Sequence, residues 1–189
     1  MNKPAHFYKD KDFVQNNEGL ILKLLRAQKL IWLEELGKLD LYAGFDLIAQ
    51  YYDGLKGVSL RCRFGKDWEN VNFRNHLSNS KSELQKMKRM DKNFLYSNVI
   101  LQFNGIDENL NPSSAVILNT RKVGEWINNW EQDKGHESID KYFMSGTDKY
   151  GVPYGMYAFP YDVLKGEEEY SGYNLNPVII NNILDIGTI

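Results

Sequence analysis

The strongest constraint on the fold is a strict alternation of apolar and polar side chains from residue 58 to residue 64. The apolar positions are Val58, Leu60, Cys62 and Phe64, and the polar positions are Ser59, Arg61 and Arg63. Because successive side chains of a β-strand point to opposite faces of a sheet, the pattern predicts a strand with one buried face. The other face then carries a hydroxyl and two guanidinium groups.

The segment before this strand predicts a partner for it. Residues 44–52 form a β-rich run that ends at Asp53-Gly54, a dipeptide that is typical of hairpin turns. Another β-like run ends where Asn104-Gly105 interrupts the pattern. Beyond the hairpin, the sequence predicts a loop and strand over 67–74, and further strands over 94–103 and 115–119.

Helical periodicity lies on both sides of the hairpin. Apolar residues recur at helical spacing at Leu20, Ile21, Leu24, Leu25, Ile31 and Trp32. They predict a helix that begins near Glu18 behind a cap at Asn16 or Asn17 and ends at Gly37. A second helix is predicted over 83–90. A third begins after Thr120 as its N-cap, and the side predicted to pack on a sheet carries Val123, Trp126, Ile127 and Trp130.

These elements predict one α/β domain over residues 1–189. The chain is long enough for one covered core, and 42% hydrophobic and 25% charged residues are typical of globular proteins. A core over 17–130 is expected, with an irregular, acidic C-terminal extension over 131–189 packed on it. The stretch from Met1 to Asp12 resembles neither a signal peptide nor a membrane span, so a cytoplasmic location without a membrane partner is expected.

Cysteine and histidine usage excludes some kinds of site. The single Cys62 cannot form an intramolecular disulfide. His6, His76 and His136 lie far apart in sequence, which does not match the ligand spacing of a structural zinc site.

Charge is distributed unevenly along the chain. The net charge is −2, which argues against a broad nonspecific coat on DNA, because affinity for duplex comes largely from neutralised phosphates. Residues 61–92 nevertheless hold nine basic and four acidic groups, whereas residues 93–189 hold six and thirteen. A polyanion is therefore expected to contact residues 61–92, and the alternative is a solvated helix face.

The order of these features resembles a known nuclease core. A helix with a carboxylate, a strand with Asp46, a tight turn and a strand with polar groups at i and i+2 resemble the PD-(D/E)XK nuclease superfamily over residues 17 to 92. The resemblance implies a restriction-endonuclease-like fold, a mixed β-sheet flanked by helices. In that superfamily, a first-strand Asp and a second-strand acid hold Mg²⁺. A Lys two residues further on orients or deprotonates the attacking water.

Mapped onto this chain, the resemblance assigns Asp46 as a metal ligand and places Ser59-Leu60-Arg61 where the family has acid-x-Lys. This segment departs from the pattern at both polar positions. A serine hydroxyl is neutral and a poor ligand for Mg²⁺, and arginine stays protonated, although it can clamp a phosphate. The missing carboxylate could come from Glu34 or Glu35, or from Glu83 one helical turn before Lys86. The alternative is that Glu83 and Lys86 form an ordinary surface pair.

Two functions from different classes follow from the resemblance. The first is a Mg²⁺-dependent nuclease with Asp46 and Glu83 as metal ligands. Its catalytic residues would be Asp46, Arg61, Glu35 and Lys86, and DNA or RNA would be bound by Arg61, Arg63, Arg74 and Lys86.

The second function is a non-enzymatic protein with a degenerate nuclease-like core that binds nucleic acid or a host protein, for instance as a phage-encoded modulator. The segment Arg61–Phe64, with Phe73-Arg74 and the run from Ser82 to Lys86, also resembles small phage and bacterial proteins with such cores. A third interpretation is that the alternating arginines pair with buried carboxylates.

Overall fold

The computed structural model describes residues 5–32, 46–75, 83–88, 96–147, 153–166, 175 and 177–181. Over these residues the chain is mixed α/β, and most of the strand pairs are antiparallel. In chain order, the helices and strands are α1 (Ala5–Asn16), α2 (Glu18–Leu25), β1 (Lys29–Trp32), β2 (Leu47–Tyr51), β3 (Gly54–Phe64), β4 (Asn70–Asn75), α3 (Glu83–Met87), β5 (Val99–Ile106), β6 (Ser114–Asn119), α4 (Thr120–Lys134), α5 (Glu137–Asp140), β7 (Phe143–Thr147), β8 (Pro153–Pro160), α6 (Tyr161–Lys165) and β9 (Val178–Asn181).

The chain divides into two compact units that interleave along the sequence. Unit 1 comprises Met1–Trp68, Ser97–Ile117 and Ile179–Ile189, and unit 2 comprises Glu69–Tyr96 and Leu118–Val178. Each unit therefore draws residues both from the predicted core and from the predicted extension. The prediction of one domain with a boundary at residue 130 stays a prediction.

The sheet of unit 1 has six strands in the order β1-β2-β3-β5-β6-β9. The predicted hairpin is confirmed, because β2 and β3 pair antiparallel with Leu47 opposite Val58 and Tyr51 opposite Gly54. Strand β5 pairs with β3 in parallel. A parallel partner needs a crossover connection, and residues 65–98 supply it.

The predicted alternation of β3 is also confirmed. Val58 is part of a buried core, and the other three apolar residues of the strand pack against that core. Helices α1 and α2 supply Phe13, Ile21 and Leu24 to this side of the sheet, and the Phe13 ring meets Phe103 of β5 edge-on at 5.0 Å between centroids. Apolar area removed from water between sheet and helices stabilises this face.

The helix predicted from Glu18 to Gly37 is wrong over residues 26–32, and residues 33–37 lie outside the described residues. Arg26 takes a left-handed conformation (φ 54°) that ends α2, and residues 29–32 form strand β1 instead. Lys29 lies opposite Gln50 of β2, so this segment makes its backbone hydrogen bonds with β2 in place of those of a further helical turn. A short apolar run fits either structure, and pairing across the sheet decides between them.

The predicted N-cap position of α2 is confirmed at Asn17, although its side chain makes no cap bond, and the predicted N-cap of α4 is wrong. Asn17 precedes α2, but its side-chain amide donates to the carbonyl oxygens of Phe13 (2.9 Å) and Leu110 (3.1 Å) instead of accepting a helix N–H. At α4 the cap is Asn119, whose Oδ1 accepts the Lys122 N–H at 3.1 Å, whereas Thr120 is the first helical residue and is buried. Asparagine offers an amide donor besides its acceptor, which explains the first case.

Strand β5 does not end before Asn104-Gly105, as the sequence predicted, but continues to Ile106. The register against β3 shifts between Cys62, opposite Phe103, and Phe64, opposite Ile106, which is a β-bulge. Gly105 has φ +61° at this point, a conformation that glycine adopts without steric cost.

Unit 2 contains a three-stranded antiparallel sheet in the order β4-β8-β7. The predicted apolar side of α4 is confirmed, because all four of its residues are buried. The Trp126 ring lies 5.2 Å from Phe159 of β8, and Phe159 lies 5.9 Å from Phe73 of β4. The two α4 tryptophans therefore belong to a core, not to a surface that binds bases. None of the helices in the described part of the chain has both the length and the apolar character needed to cross a bilayer.

Candidate functional site

The candidate site is the polar face of strand β3 in unit 1. Ser59 on this face is 7% exposed, and Arg61 and Arg63 are half-buried. These three side chains alternate with residues that pack against the helix-covered core, so they lie on the opposite side of the sheet. This face of β3 therefore carries two side chains, Arg61 and Arg63, that keep their positive charge at neutral pH.

Strand β5 extends this polar face sideways. Its parallel register puts Gln102 opposite Arg61. Gln102 and Asn104 are 0% and 1% exposed, and the Gln102 Nε2 donates to the Asn104 Oδ1 at 2.8 Å. Buried amides in a hydrogen-bonded pair have fixed orientations, so the Gln102 and Asn104 side chains form a rigid polar surface beside Arg61.

Asp46 lies at the start of β2, next to the polar positions of β3. Its N–H donates to the Val58 carbonyl oxygen at 2.9 Å, which continues the antiparallel register and sets Asp46 beside Ser59. The Leu60 N–H donates to the Asp46 Oδ2 at 2.5 Å. The Asp46 carboxylate is exposed and lies next to Leu60, the residue between Ser59 and Arg61. It also accepts a hydrogen bond from the backbone of β3.

Three of the other predicted site residues, Arg74, Glu83 and Lys86, lie in unit 2. The Arg74 N–H, in β4, donates to the Glu83 Oε2 at 2.6 Å, and Glu83 is the first residue of α3. Lys86 is in the last turn of the same short helix. The Glu83 carboxylate thus ties α3 to β4. Asp46 belongs to unit 1 and Glu83 to unit 2, so neither unit contains both predicted Mg²⁺ ligands.

The described residues contain no cluster of metal-binding side chains. Within these residues, no group of three or more histidine, cysteine, aspartate or glutamate side chains is close enough to hold a metal ion. Ser59 offers Asp46 only a neutral oxygen, and Mg²⁺ is usually held by one or two carboxylates in addition to phosphate and water. Glu34 and Glu35 lie outside the described residues, so Mg²⁺ as a cofactor stays a prediction.

A second carboxylate, which sequence reasoning missed, lies at the end of the polar face. Asp67 follows β3, and its Oδ2 accepts hydrogen bonds from the hydroxyls of Ser113 (2.8 Å) and Ser114 (2.5 Å). An added Cβ on Gly105 would lie 3.2 Å from the Asp67 Cβ, so the loop closes tightly over the bulge in β5. The serine partners of Asp67 lie more than forty residues away in sequence, so no local pattern predicts them. The available signal was the Asp67-Trp68 pair shortly after β3.

The thiol of Cys62 does not add a nucleophile to this site. Burial raises its pKa, and the negative charges of Asp10 and Asp46 raise it further. The thiolate is the reactive form of cysteine, and a raised pKa keeps the thiol protonated at neutral pH. Cys62 therefore acts as a small apolar residue of the core.

Comparison of the chain with protein-family models, with curated proteins and with solved structures found no match. The resemblance to the PD-(D/E)XK superfamily accordingly stays a prediction that depends on the residues quoted above.

Proposed function

We propose that this protein binds the phosphate backbone of nucleic acid through Arg61 and Arg63, on a restriction-endonuclease-like core that has lost part of the PD-(D/E)XK signature. One observation carries the proposal. The Asp46 carboxylate is hydrogen-bonded to Leu60 between Ser59 and Arg61, while the apolar residues of β3 pack on the other side of the sheet. This is the arrangement expected if the resemblance is real and residues 59 and 61 once held the acid and the lysine.

Residue chemistry favours binding over cleavage. Arginine presents planar donors that match two phosphate oxygens and keeps its charge, so it can hold a phosphate but cannot take a proton from water. Ser59 supplies no charge to a metal. The function that best fits serine at position 59 and arginine at position 61 is phosphate binding without a catalytic centre.

The charge pattern supports a local contact rather than a broad one. Residues 61–92 are the basic segment, and the rest of the chain is neutral or acidic, including the acidic extension over 131–189. A small number of phosphate contacts follows. The affinity should then fall only moderately with salt, with a slope of about 0.7–0.9 per phosphate contacted.

The test is a titration of the purified chain against labelled 20-nucleotide single-stranded DNA, duplex DNA and RNA by fluorescence anisotropy at several salt concentrations. Variants Arg61→Gln and Arg63→Gln should each weaken binding and each lower the salt slope by about 0.7–0.9. Arg121→Gln is the matched control, since Arg121 is 66% exposed on α4 and pairs only loosely with Glu125 (4.0 Å). It should bind as the unmodified chain does.

Two results would count against the proposal. Binding that Arg61→Gln and Arg63→Gln leave unchanged would remove the arginines from the interface. Absence of binding to all three nucleic acids at low salt would remove nucleic acid as the partner and leave the alternative of a host protein, whose binding should depend weakly on salt. Circular dichroism of each variant shows whether its fold is intact.

A metal-dependent nuclease is the second candidate, favoured by the exposed Asp46 carboxylate beside Arg61. It requires a further carboxylate, for which Glu35 is the predicted source. The informative variant is Asp46→Asn, because an asparagine oxygen can still accept the Leu60 N–H but is a much poorer ligand for a hard cation. Cleavage of DNA or RNA with Mg²⁺ or Mn²⁺ that Asp46→Asn abolishes would support the nuclease. Equal cleavage by both proteins would exclude it.

A further inference from the structure

We propose that Trp68 stacks on an unpaired base, so that the ligand of the Arg61 and Arg63 face is single-stranded nucleic acid. This inference rests on the proposed function, which concerns phosphate binding, and adds the class of nucleic acid that the site selects. Trp68 differs from the other tryptophans of the chain in its exposure to solvent. Trp126 and Trp130 are buried and Trp32 is half-buried, whereas Trp68 is 57% exposed.

The backbone around Trp68 is held in place although its ring is exposed. Asp67, directly before it, accepts hydrogen bonds from the hydroxyls of Ser114, the first residue of β6, and of Ser113 just before that strand. Glu69, directly after it, has φ +48°, which a residue with a side chain adopts at a cost in conformational energy. Because the backbone on both sides of Trp68 is held in place, the segment loses little conformational entropy when the ring stacks on a flat ligand.

A cation lies at the ring and suits an anionic strand, although the carboxylates of Asp67 and Glu69 lie on either side of Trp68 in the chain. The Lys66 Nζ lies over one face of the Trp68 ring, 4.7 Å from its centroid, so a base would stack on the opposite face. Arg63 is five residues away along the chain, which limits its distance from Trp68 to about 17 Å. A base stacked on the ring would bring its phosphates close to Lys66, and neighbouring phosphates of the same strand would reach the arginines. Sequence-tolerant proteins that bind single strands combine aromatic stacking with a positively charged groove in this way.

An unpaired strand fits better than a duplex or an apolar peptide. Duplex bases already stack on each other and show their faces to no side chain, while a single strand leaves every base face open. An apolar peptide would gain nothing from the cations, which would lose hydration on contact with it. The combination of an exposed indole with three cations therefore selects a ligand that is both aromatic and polyanionic.

The experiment compares three ligands of equal length: (dT)20, an abasic 20-mer that keeps the sugar-phosphate backbone, and a 20-base-pair duplex. Trp68→Ala should weaken binding of (dT)20 by about 5- to 150-fold, the effect of losing one stacked base. It should change binding of the abasic strand and of the duplex less than twofold. Trp68→Phe, which keeps an aromatic face, should recover most of the affinity for (dT)20.

Tyr52→Ala is the matched control. Tyr52 is 96% exposed but precedes β3, and the eleven residues of that strand separate it from the Trp68 end by roughly 30 Å. Removing this aromatic ring should leave all three affinities unchanged.

The outcomes separate this inference from the function on which it rests. If the unmodified chain binds (dT)20 and the abasic strand equally, and Arg61→Gln weakens both while Trp68→Ala weakens neither, the stacking is refuted and the phosphate contact stands. If Trp68→Ala weakens all three ligands alike, the ring has a structural role and stacking is again refuted. If none of the three ligands binds and single-stranded RNA does not bind either, both proposals fail.

Discussion

Two glycines in helices give an internally controlled test of the packing in this chain. Gly124 lies inside α4 and is buried, and an added Cβ there would lie 2.2 Å from the Met87 carbonyl oxygen and 2.7 Å from its carbonyl carbon. Gly19 lies in the first turn of α2, and a Cβ there would meet nothing within 4 Å. The same substitution by alanine should therefore have opposite effects at the two positions.

The magnitudes follow from the two environments. Alanine is favoured over glycine in a helix by up to about 1 kcal/mol, so Gly19→Ala should stabilise the chain by a few tenths to about 1 kcal/mol. At Gly124 the same gain is opposed by a clash with backbone atoms, which no change of rotamer relieves. Helices α3 and α4 would have to separate by roughly 1 Å to restore ordinary van der Waals distances. Such overpacking costs about 1–3 kcal/mol.

The expected net effect of Gly124→Ala is a loss of about 1–2 kcal/mol, or several degrees in Tm for a chain of this size. Leu84 and Met87, the buried residues of α3, would lose contacts as the helix moved away. Urea unfolding followed by circular dichroism measures both variants against the unmodified chain. If Gly124→Ala raised the midpoint as Gly19→Ala does, α3 could not cross α4 as closely as described, and the packing argument for unit 2 would be refuted.

Three further perturbations test individual contacts. Asp46→Ala should lower the free energy of unfolding by about 1 kcal/mol because the Leu60 N–H loses its acceptor, whereas Asp46→Asn should stay within about 0.5 kcal/mol; equal losses in urea unfolding would show that the bond contributes nothing. Ser114→Ala should cost about 1–2 kcal/mol, since Ser114 is buried against Asp67, and Ser113→Ala at its exposed neighbour should cost less; the reverse order would contradict the geometry. Burial opposes ionisation of Glu131, but hydrogen bonds and charge from Lys88 and His136 outweigh it and lower the Glu131 pKa. Glu131→Gln should therefore lose stability near pH 7, and the difference from the unmodified chain should shrink as the pH falls below about 4.5 and vanish below the lowered pKa; a difference that persists at low pH would exclude this cause.

The sequence predicted those parts of the fold that have short-range causes. The alternation in β3, the hairpin turn at Asp53-Gly54 and the buried side of α4 each follow from a period of two or 3.6 residues within one segment. Strand β1 was missed because a four-residue segment with three apolar residues is too short to show a period, and its pairing with β2 determined its structure. Strand β8 lies in the extension over 131–189, which was predicted to be irregular. Its buried residues Tyr157 and Phe159 nevertheless alternate with more exposed ones.

The same distinction explains which site residues could be predicted. Arg61 and Arg63 were found because strand alternation places them on a polar face, whatever lies around them. Asp67 was missed because its significance depends on two serines brought to it by β6, and such long-range partners are set by topology.

Asp46 and Asp67 together allow a test of the proposed binding face. Both carboxylates flank the polar side of β3, and both accept hydrogen bonds from neighbouring strands or the loop between them. A carboxylate used in this way stabilises the positions of the residues beside it: the arginines in one case and Trp68 in the other. If binding survives Asp46→Asn but weakens when Ser114→Ala removes a support of Asp67, the acids position the cationic and aromatic ligand contacts. If both variants abolish binding only when Mg²⁺ is present, the acids hold a metal and the nuclease is the better explanation.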